Sequence, residues 1–158
     1  MKISLLLLAL LLTEGVGFAQ SFDEKRSEGR APDVSAIKTV VEQESAAFHQ
    51  RKADKALSYW ANVPYASHTY TEKGTGYVRG YDSISKAMKN VLGKLPKADK
   101  KVYKNHDYRI HVNGTSAWAT YITDALDGGK KHQTYDARYL EKINGAWKLV
   151  SVVGIPAP

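Results

Sequence analysis

Three turn signals in the final third of the chain, Asn113-Gly114, the "DGGK" of residues 127–130 and Asn144-Gly145, separate four stretches in which apolar and polar residues alternate. Asn-Gly and Gly-Gly pairs accept the positive φ values that tight hairpin turns require, and a period of two puts every second side chain on one face. No other feature narrows the fold as far, because long strands joined by tight turns build an antiparallel meander. The strands are expected over residues 102–112, 115–126, 131–143 and 146–154. With two-residue loops at both Asn-Gly pairs and a four-residue loop at "DGGK", Val112 faces Thr115, Leu126 faces Lys131 and Ile143 faces Ala146.

That register writes out rows across one face of the sheet. Beside the Asn-Gly turns the row is Ile110, Ala117, Leu140 and Leu149, all apolar and suited to packing under helices. The next row is Tyr108, Ala119, Arg138 and Ser151, followed by His106, Tyr121, Asp136 and Val153. A face that grades from apolar to polar under helices describes a cone with a packed floor and a lined mouth, the usual anatomy of a small-molecule site. In "HQTYDARYLEK" (132–142) the charged Asp136 and Arg138 share this face with Leu140, and the small neighbours Ala119 and Ser151 leave space above the arginine. Two readings stand together. The pair balances itself, or partners Glu44, as a satisfied buried ion pair, or it lines a cavity and anchors a carboxylate or phosphate. The opposite face gathers Arg109, Trp118, Tyr139 and Val150, with Ile122, Tyr135 and Val152 beyond. It is too aromatic for a solvated surface, so a sheet-to-sheet homodimer is expected, the alternative being cover by the chain's own "GIPAP" tail.

Upstream the period is helical. Ile37, Val40, Val41, Glu44, Ala47 and Phe48 recur at helix spacing after a candidate cap at Asp33. A short second helix capped by Asp54 carries Leu57 and Trp60, and "ANVPYASHTY" (61–70) then turns extended. The glycines of "EKGTGYVRGYDS" (72–83) mark a loop, and a third helix over residues 82–92 places Ile84, Met88, Val91 and Leu92 inward, with Gly93 as its cap.

Residues 1–19 have an early lysine, a ten-residue apolar run and small residues before Gln20, the pattern of a cleaved export signal; the run is half the length of a membrane span. The expected mature chain is therefore secreted or periplasmic and free of the membrane after cleavage. Residues 20–32 read as a flexible leader and 33–156 as one α+β domain. Cleavage removes Lys2 and Glu14 together, so 22 basic against 15 acidic residues keep the net charge at +7. The lysines are dispersed and an exported chain meets no cellular nucleic acid, so no nucleic-acid partner is expected. With no cysteine, no close pairing among His49, His68, His106, His111 and His132, and no Gly-rich phosphate loop, neither a metal nor a cofactor is expected.

Three helices, an extended segment and a long curved meander, with "ALSYWANVPY", "VRGYDSISKAM" and "ARYLEKINGAWKLVSVVGIP" as their best carriers, resemble the nuclear-transport-factor-2-like superfamily and its exported SnoaL-like members over residues 33–156. The resemblance implies an α+β cone of three helices packed on a strongly curved, mainly antiparallel sheet around a central pocket, often dimeric. It also implies activities such as ketosteroid isomerisation, dehydration and polyketide cyclisation beside many members that only bind. In such enzymes a carboxylate or imidazole of the first strand serves as base, and alignment with ketosteroid isomerases puts His68 near that place; the alternative is a partly exposed strand histidine. His68 and Asp136 are thus the candidate catalytic residues, and Trp60, His106, Tyr108, Tyr121 and Arg138 the candidate ligand contacts. The expected function is binding of an unidentified small molecule. The alternatives are a cofactor-free lyase or isomerase and an interaction module acting through the aromatic sheet face.

Overall fold

A computed structural model describes residues 31–70, 76–95 and 100–157, and shows three helices packed on one curved six-stranded sheet. The elements are α1 (Ala31–His49), α2 (Ala53–Leu57), β1 (Ser67–Tyr70), β2 (Gly76–Arg79), α3 (Tyr81–Gly93), β3 (Val102–Asn113), β4 (Ser116–Asp127), β5 (Lys130–Ile143) and β6 (Ala146–Pro156). Across the sheet the order is β2-β1-β6-β5-β4-β3, antiparallel except where β1 runs parallel to β6. This is the expected α+β cone. The expected export signal and residues 20–30 of the leader lie outside the described residues.

The start of the domain differs in detail from the sequence reading. Ala31 and Pro32, assigned to the leader, form the first turn of α1, where proline's missing N–H is no loss. Asp33 is therefore inside the helix rather than its cap. Its Oδ1 accepts hydrogen bonds from Lys142 Nζ and Trp147 Nε1, both at 2.8 Å, and so fastens α1 to the Asn144-Gly145 end of the sheet. Ile37, Val41, Glu44 and Ala47 form the buried stripe of α1. Gly93 ends α3 as a helical residue, not as a left-handed cap.

The expected loop after β1 is corrected to include a strand. Gly76–Arg79 folds back on β1 as β2, because the glycines punctuate a hairpin whose short strand carries only Tyr77 and Val78 as a pattern. Backbone bonds between Ala61 and Leu149 and between Leu149 and Tyr59 carry the chain from α2 onto β6, which fixes Trp60 over the sheet.

The meander register is partly as expected. β4 and β5 pair as written, Ala119 against Arg138 and Leu126 against Lys131, although the turn is tighter: Asp127 pairs with Lys130, and Gly128 and Gly129 form the two-residue loop, both at positive φ. Asn144 and Gly145, at φ 51 and 80, close a two-residue loop as expected, with Ile143 facing Ala146. At the first hairpin the loop is Gly114-Thr115 rather than Asn113-Gly114, so Val112 and not Ile110 faces Ala117. Two bulges then intervene. On β3, Asp107 and Tyr108 together oppose Tyr121, and on β6 Val150 is the extra residue between Leu149 and Ser151. Each extra residue reverses which face the rest of its strand presents.

Candidate functional site

The bulges decide what lines the cone. On its concave face the apolar row is Val112, Ala117, Leu140 and Leu149, all buried. The next row is Ile110, Ala119, Arg138 and Val152, extended to His68 by the parallel pairing of β1 with β6. Beyond it, Tyr121 and Asp136 stand in a row closed by Gly154, not Val153. A side chain at Gly154 would begin 3.3 Å from Asp136 Oδ1, so the glycine leaves room for the carboxylate.

Arg138 and Asp136 are 6% and 8% exposed, and Arg138 Nη1 meets Asp136 Oδ1 at 3.1 Å. The other carboxylate oxygen, Oδ2, lies 2.8 Å from the hydroxyls of both Thr123 and Thr134. Both oxygens are engaged, Oδ1 by the counter-charge of Arg138 and Oδ2 by the two threonine hydroxyls. Arg138 Nη1 also lies 3.3 Å from the main-chain oxygens of Ala137 and Val153, and its guanidinium carbon sits 5.4 Å from the centre of the Tyr121 ring. Two donors in this group, Arg138 Nε and Tyr121 Oη, are buried without a hydrogen-bond partner among the described residues.

The helix above supplies Glu44, 5% exposed, whose Oε1 accepts from Trp60 Nε1 at 3.1 Å. Burial pushes its carboxyl above the usual carboxylate range, and the nearby Arg138 charge only partly opposes that. Sequence reasoning had placed Glu44 in the apolar stripe of α1 as a possible partner of Arg138. An acidic residue at a core-facing position was the signal that it belongs to the site. The Trp60 ring lies 5.6 Å from that of His68, and burial, followed by the Arg138 charge, lowers the His68 imidazole to about 4. It is therefore neutral near pH 7 and a weak base.

Tyr108, carried on the β3 bulge, stacks on Tyr121 with ring centres 4.9 Å apart, and its hydroxyl reaches Glu42 Oε1 at 3.3 Å. It forms the edge of the site against α1, with Lys38 Nζ 4.9 Å from its ring. Of the residues singled out from sequence, Trp60, His68, Tyr108, Tyr121, Asp136 and Arg138 come together in this region. His106 does not. It pairs with Ile122 on the outer face, because the bulge at Asp107 reverses the side on which it projects. A concavity of about 490 Å³ lies at the bulged end of the sheet; most of its lining belongs to the outer-face rows of Arg109, Thr120, Ala137 and Val153 and of Ile122 and Tyr135, while Tyr108, Tyr121 and Asp136 reach it from the interior and Arg138 does not line it.

The outer face is aromatic, though in a different arrangement from that expected. His111, Trp118, Tyr139 and Ser151 share a row, with Trp118 47% exposed and its ring 6.4 Å from Tyr139. Val150, expected in that row, is the bulged residue and is buried.

Comparison with known proteins places this arrangement. Among solved structures, a candidate dehydratase of the nuclear-transport-factor-2-like family from Streptomyces avermitilis matches with a TM-score of 0.67 at 14% identity, over 80% of this chain and 97% of that one. A cystatin-like-fold protein of unknown function from Nostoc punctiforme matches with a TM-score of 0.66 at 15% identity, over 81% and 93% of the two chains. A nuclear-transport-factor-2-like protein of unknown function from Shewanella baltica gives 0.62 at 20% identity, over 81% and 96%. These likenesses are likenesses of fold. No curated protein matches. The family model of the SnoaL-like domain spans residues 37–156, from the buried stripe of α1 to the end of β6, and the chain belongs to the SnoaL-like domain family.

Proposed function

We propose that this is an exported small-molecule-binding domain whose ligand enters the bulged end of the cone and offers an acceptor to Arg138 Nε and Tyr121 Oη. The observation that carries the reading is the pair of buried donors without partners. Buried polar groups are nearly always hydrogen-bonded, and leaving one unsatisfied costs roughly 1–3 kcal/mol. Two such donors in one buried cluster suit an acceptor that comes from outside the chain, a ligand group or an ordered water. Asp136 already balances the Arg138 charge, so a neutral carbonyl or hydroxyl compound suits the site better than the carboxylate or phosphate expected from sequence. The flat Tyr108 and Tyr121 rings supply an apolar wall for the rest of such a ligand. The residue 1–19 pattern supports export, and the exposed Trp118 with its neighbour Tyr139 supports a homodimer through the outer face.

A second reading is an isomerase or lyase in which neutral His68 accepts a proton while Tyr121 and Arg138 stabilise the developing oxyanion. Its support is the shared row of His68 and Arg138 on the concave face. Native mass spectrometry of the protein purified from cells tests the binding reading. Mass retained by the wild type and lost in Tyr121→Phe, which keeps the ring and removes the hydroxyl, is the expected result. Retention unchanged in that variant, with Arg138→Met together with Asp136→Asn equally without effect, removes these groups from the site. Sedimentation of Trp118→Glu against wild type tests the dimer, and a wild-type monomer at micromolar concentration ends it.

A further inference from the structure

On the outer face, the imidazole of His106 is held between two carboxylates at the point where β3 bulges. Nδ1 lies 3.0 Å from Asp107 Oδ2, and Nε2 lies 3.3 Å from Asp124 Oδ1, a close but oblique approach. The carboxylates stand at opposite edges of the ring, so they do not converge on a common point as metal ligands would. A neutral imidazole has one N–H, so one of its nitrogens would turn a lone pair toward a carboxylate. Only the imidazolium offers a donor to both. Asp107 itself occupies the left-handed region at φ 54, unusual for a residue other than glycine, and it is the first of the two residues that make the bulge. The second is Tyr108, whose ring covers Tyr121 in the interior.

We propose that His106 is a pH-controlled clamp on the β3 bulge: protonated, it ties Asp107 to Asp124 and holds Tyr108 over the interior site; deprotonated, it lets the bulge and Tyr108 relax. The clamp rests on the outer-face geometry, and its consequence for ligand entry rests on the binding reading given above. The charged groups around His106 on this face are Lys104, Asp107 and Arg109 of β3, Asp124 of β4 and Lys131 of β5, with Tyr135 of β5 in the His106 row. Lys104 stands across from Asp124 in the register, while Lys131 Nζ at 2.9 Å and Gln133 Nε2 at 2.8 Å hold the Asp124 carboxylate in place. Lys104, Arg109 and Lys131 oppose a positive imidazole, but the carboxylates are the groups in contact with it. The close carboxylate of Asp124, then that of Asp107, raises the His106 imidazole above its ordinary range.

An NMR titration of the folded protein without added ligand, from about pH 5 to 9, follows the His106 ring, the Asp107 and Tyr108 amides and the Tyr108 ring. The expected result is one shared midpoint above the ordinary histidine value for all four, with the Tyr108 step lost in His106→Gln. In Asp124→Asn, the His106 and Tyr108 midpoints should fall together. Tyr108 signals that stay flat through the His106 titration, or a Tyr108 step that persists in His106→Gln, overturn the clamp. If His106→Gln does not fold, Asp124→Asn decides: a His106 midpoint that moves without that of Tyr108 sinks the proposal. Because no ligand takes part, the outcome is independent of whether the cone binds one.

Discussion

The end of the sheet beside the Asn144-Gly145 turn and the end beyond the two bulges are built from the same strands, yet they use burial in opposite ways. Near the turn, Val112, Ala117, Leu140 and Leu149 fill the concave face with methyl groups, and Asp33 and Lys142 pair at the rim. Past the bulges the same face buries Arg138, Asp136 and Tyr121 beneath Glu44. Each fully buried aliphatic side chain contributes about 1.5–3 kcal/mol from transfer out of water, whereas a buried ion pair contributes little net stability and is costly to break from one side. The bulges mark where the sheet stops serving only as core, and they do so by changing which residues face inward.

The sharpest test of that contrast is to break the ion pair from one side. Arg138→Met leaves Asp136 buried and uncompensated and should cost about 3–5 kcal/mol in denaturant unfolding, while Arg138→Met with Asp136→Asn should recover most of it. A double variant as unstable as the single one would mean that the polar end holds the fold together as the apolar end does. Leu140→Ala, at the apolar end and fully buried, should cost about 2–5 kcal/mol with no second change able to restore it. A cost near zero would show that this row is not the packed floor.

The pH dependence of stability separates the ends further. His68 is lowered from 6.5 to about 4 in the folded state, so between these values the unfolded chain binds the proton that the folded chain refuses. Its contribution is fully present above about pH 6.5 and lost as pH falls toward 4, by up to about 3 kcal/mol. Glu44, raised from 4.5, works in the other direction: the folded state holds its proton more tightly, and its contribution is lost as pH rises through the folded value. Subtracting the stability profile of His68→Phe from that of wild type isolates the histidine. A flat difference across pH 4–6.5 would place His68 in contact with solvent. The smallest effect belongs to the rim of the apolar end, where Asp33→Ala removes the shared acceptor of Lys142 and Trp147 and should cost about 1–2 kcal/mol by thermal or chemical melting. A larger loss would mean that the attachment of α1 depends on this carboxylate more than on Ile37 and Val41.

The polar end was legible in the sequence only in part. Arg138 and Asp136 alternate with Leu140, so their shared face follows from the period alone, and the pairing of Ala119 with Arg138 follows from the turn between β4 and β5. His106 was assigned to the wrong face because a bulge has no distinctive residue pattern. Asp107 accepts a left-handed φ that its type permits without announcing it. The strand at Gly76–Arg79 was hidden for a related reason: four residues between glycines look the same as a loop until β1 is there to pair with them.

What the sequence determined by itself is therefore local. The turn chemistry of Gly128-Gly129 and Asn144-Gly145, the two-residue alternation of the long strands and the apolar stripe of α1 each follow from the conformations open to a few neighbouring residues. The tertiary structure decided the rest: the two bulges, the parallel alignment of β1 on β6 that puts His68 in the row of Arg138, and the seating of Glu44 above that row. These depend on contacts between residues far apart in the chain. A single extra residue in a strand turns every later side chain to the other face, and only the strand, helix or charge waiting across the gap makes one of the two outcomes the more stable.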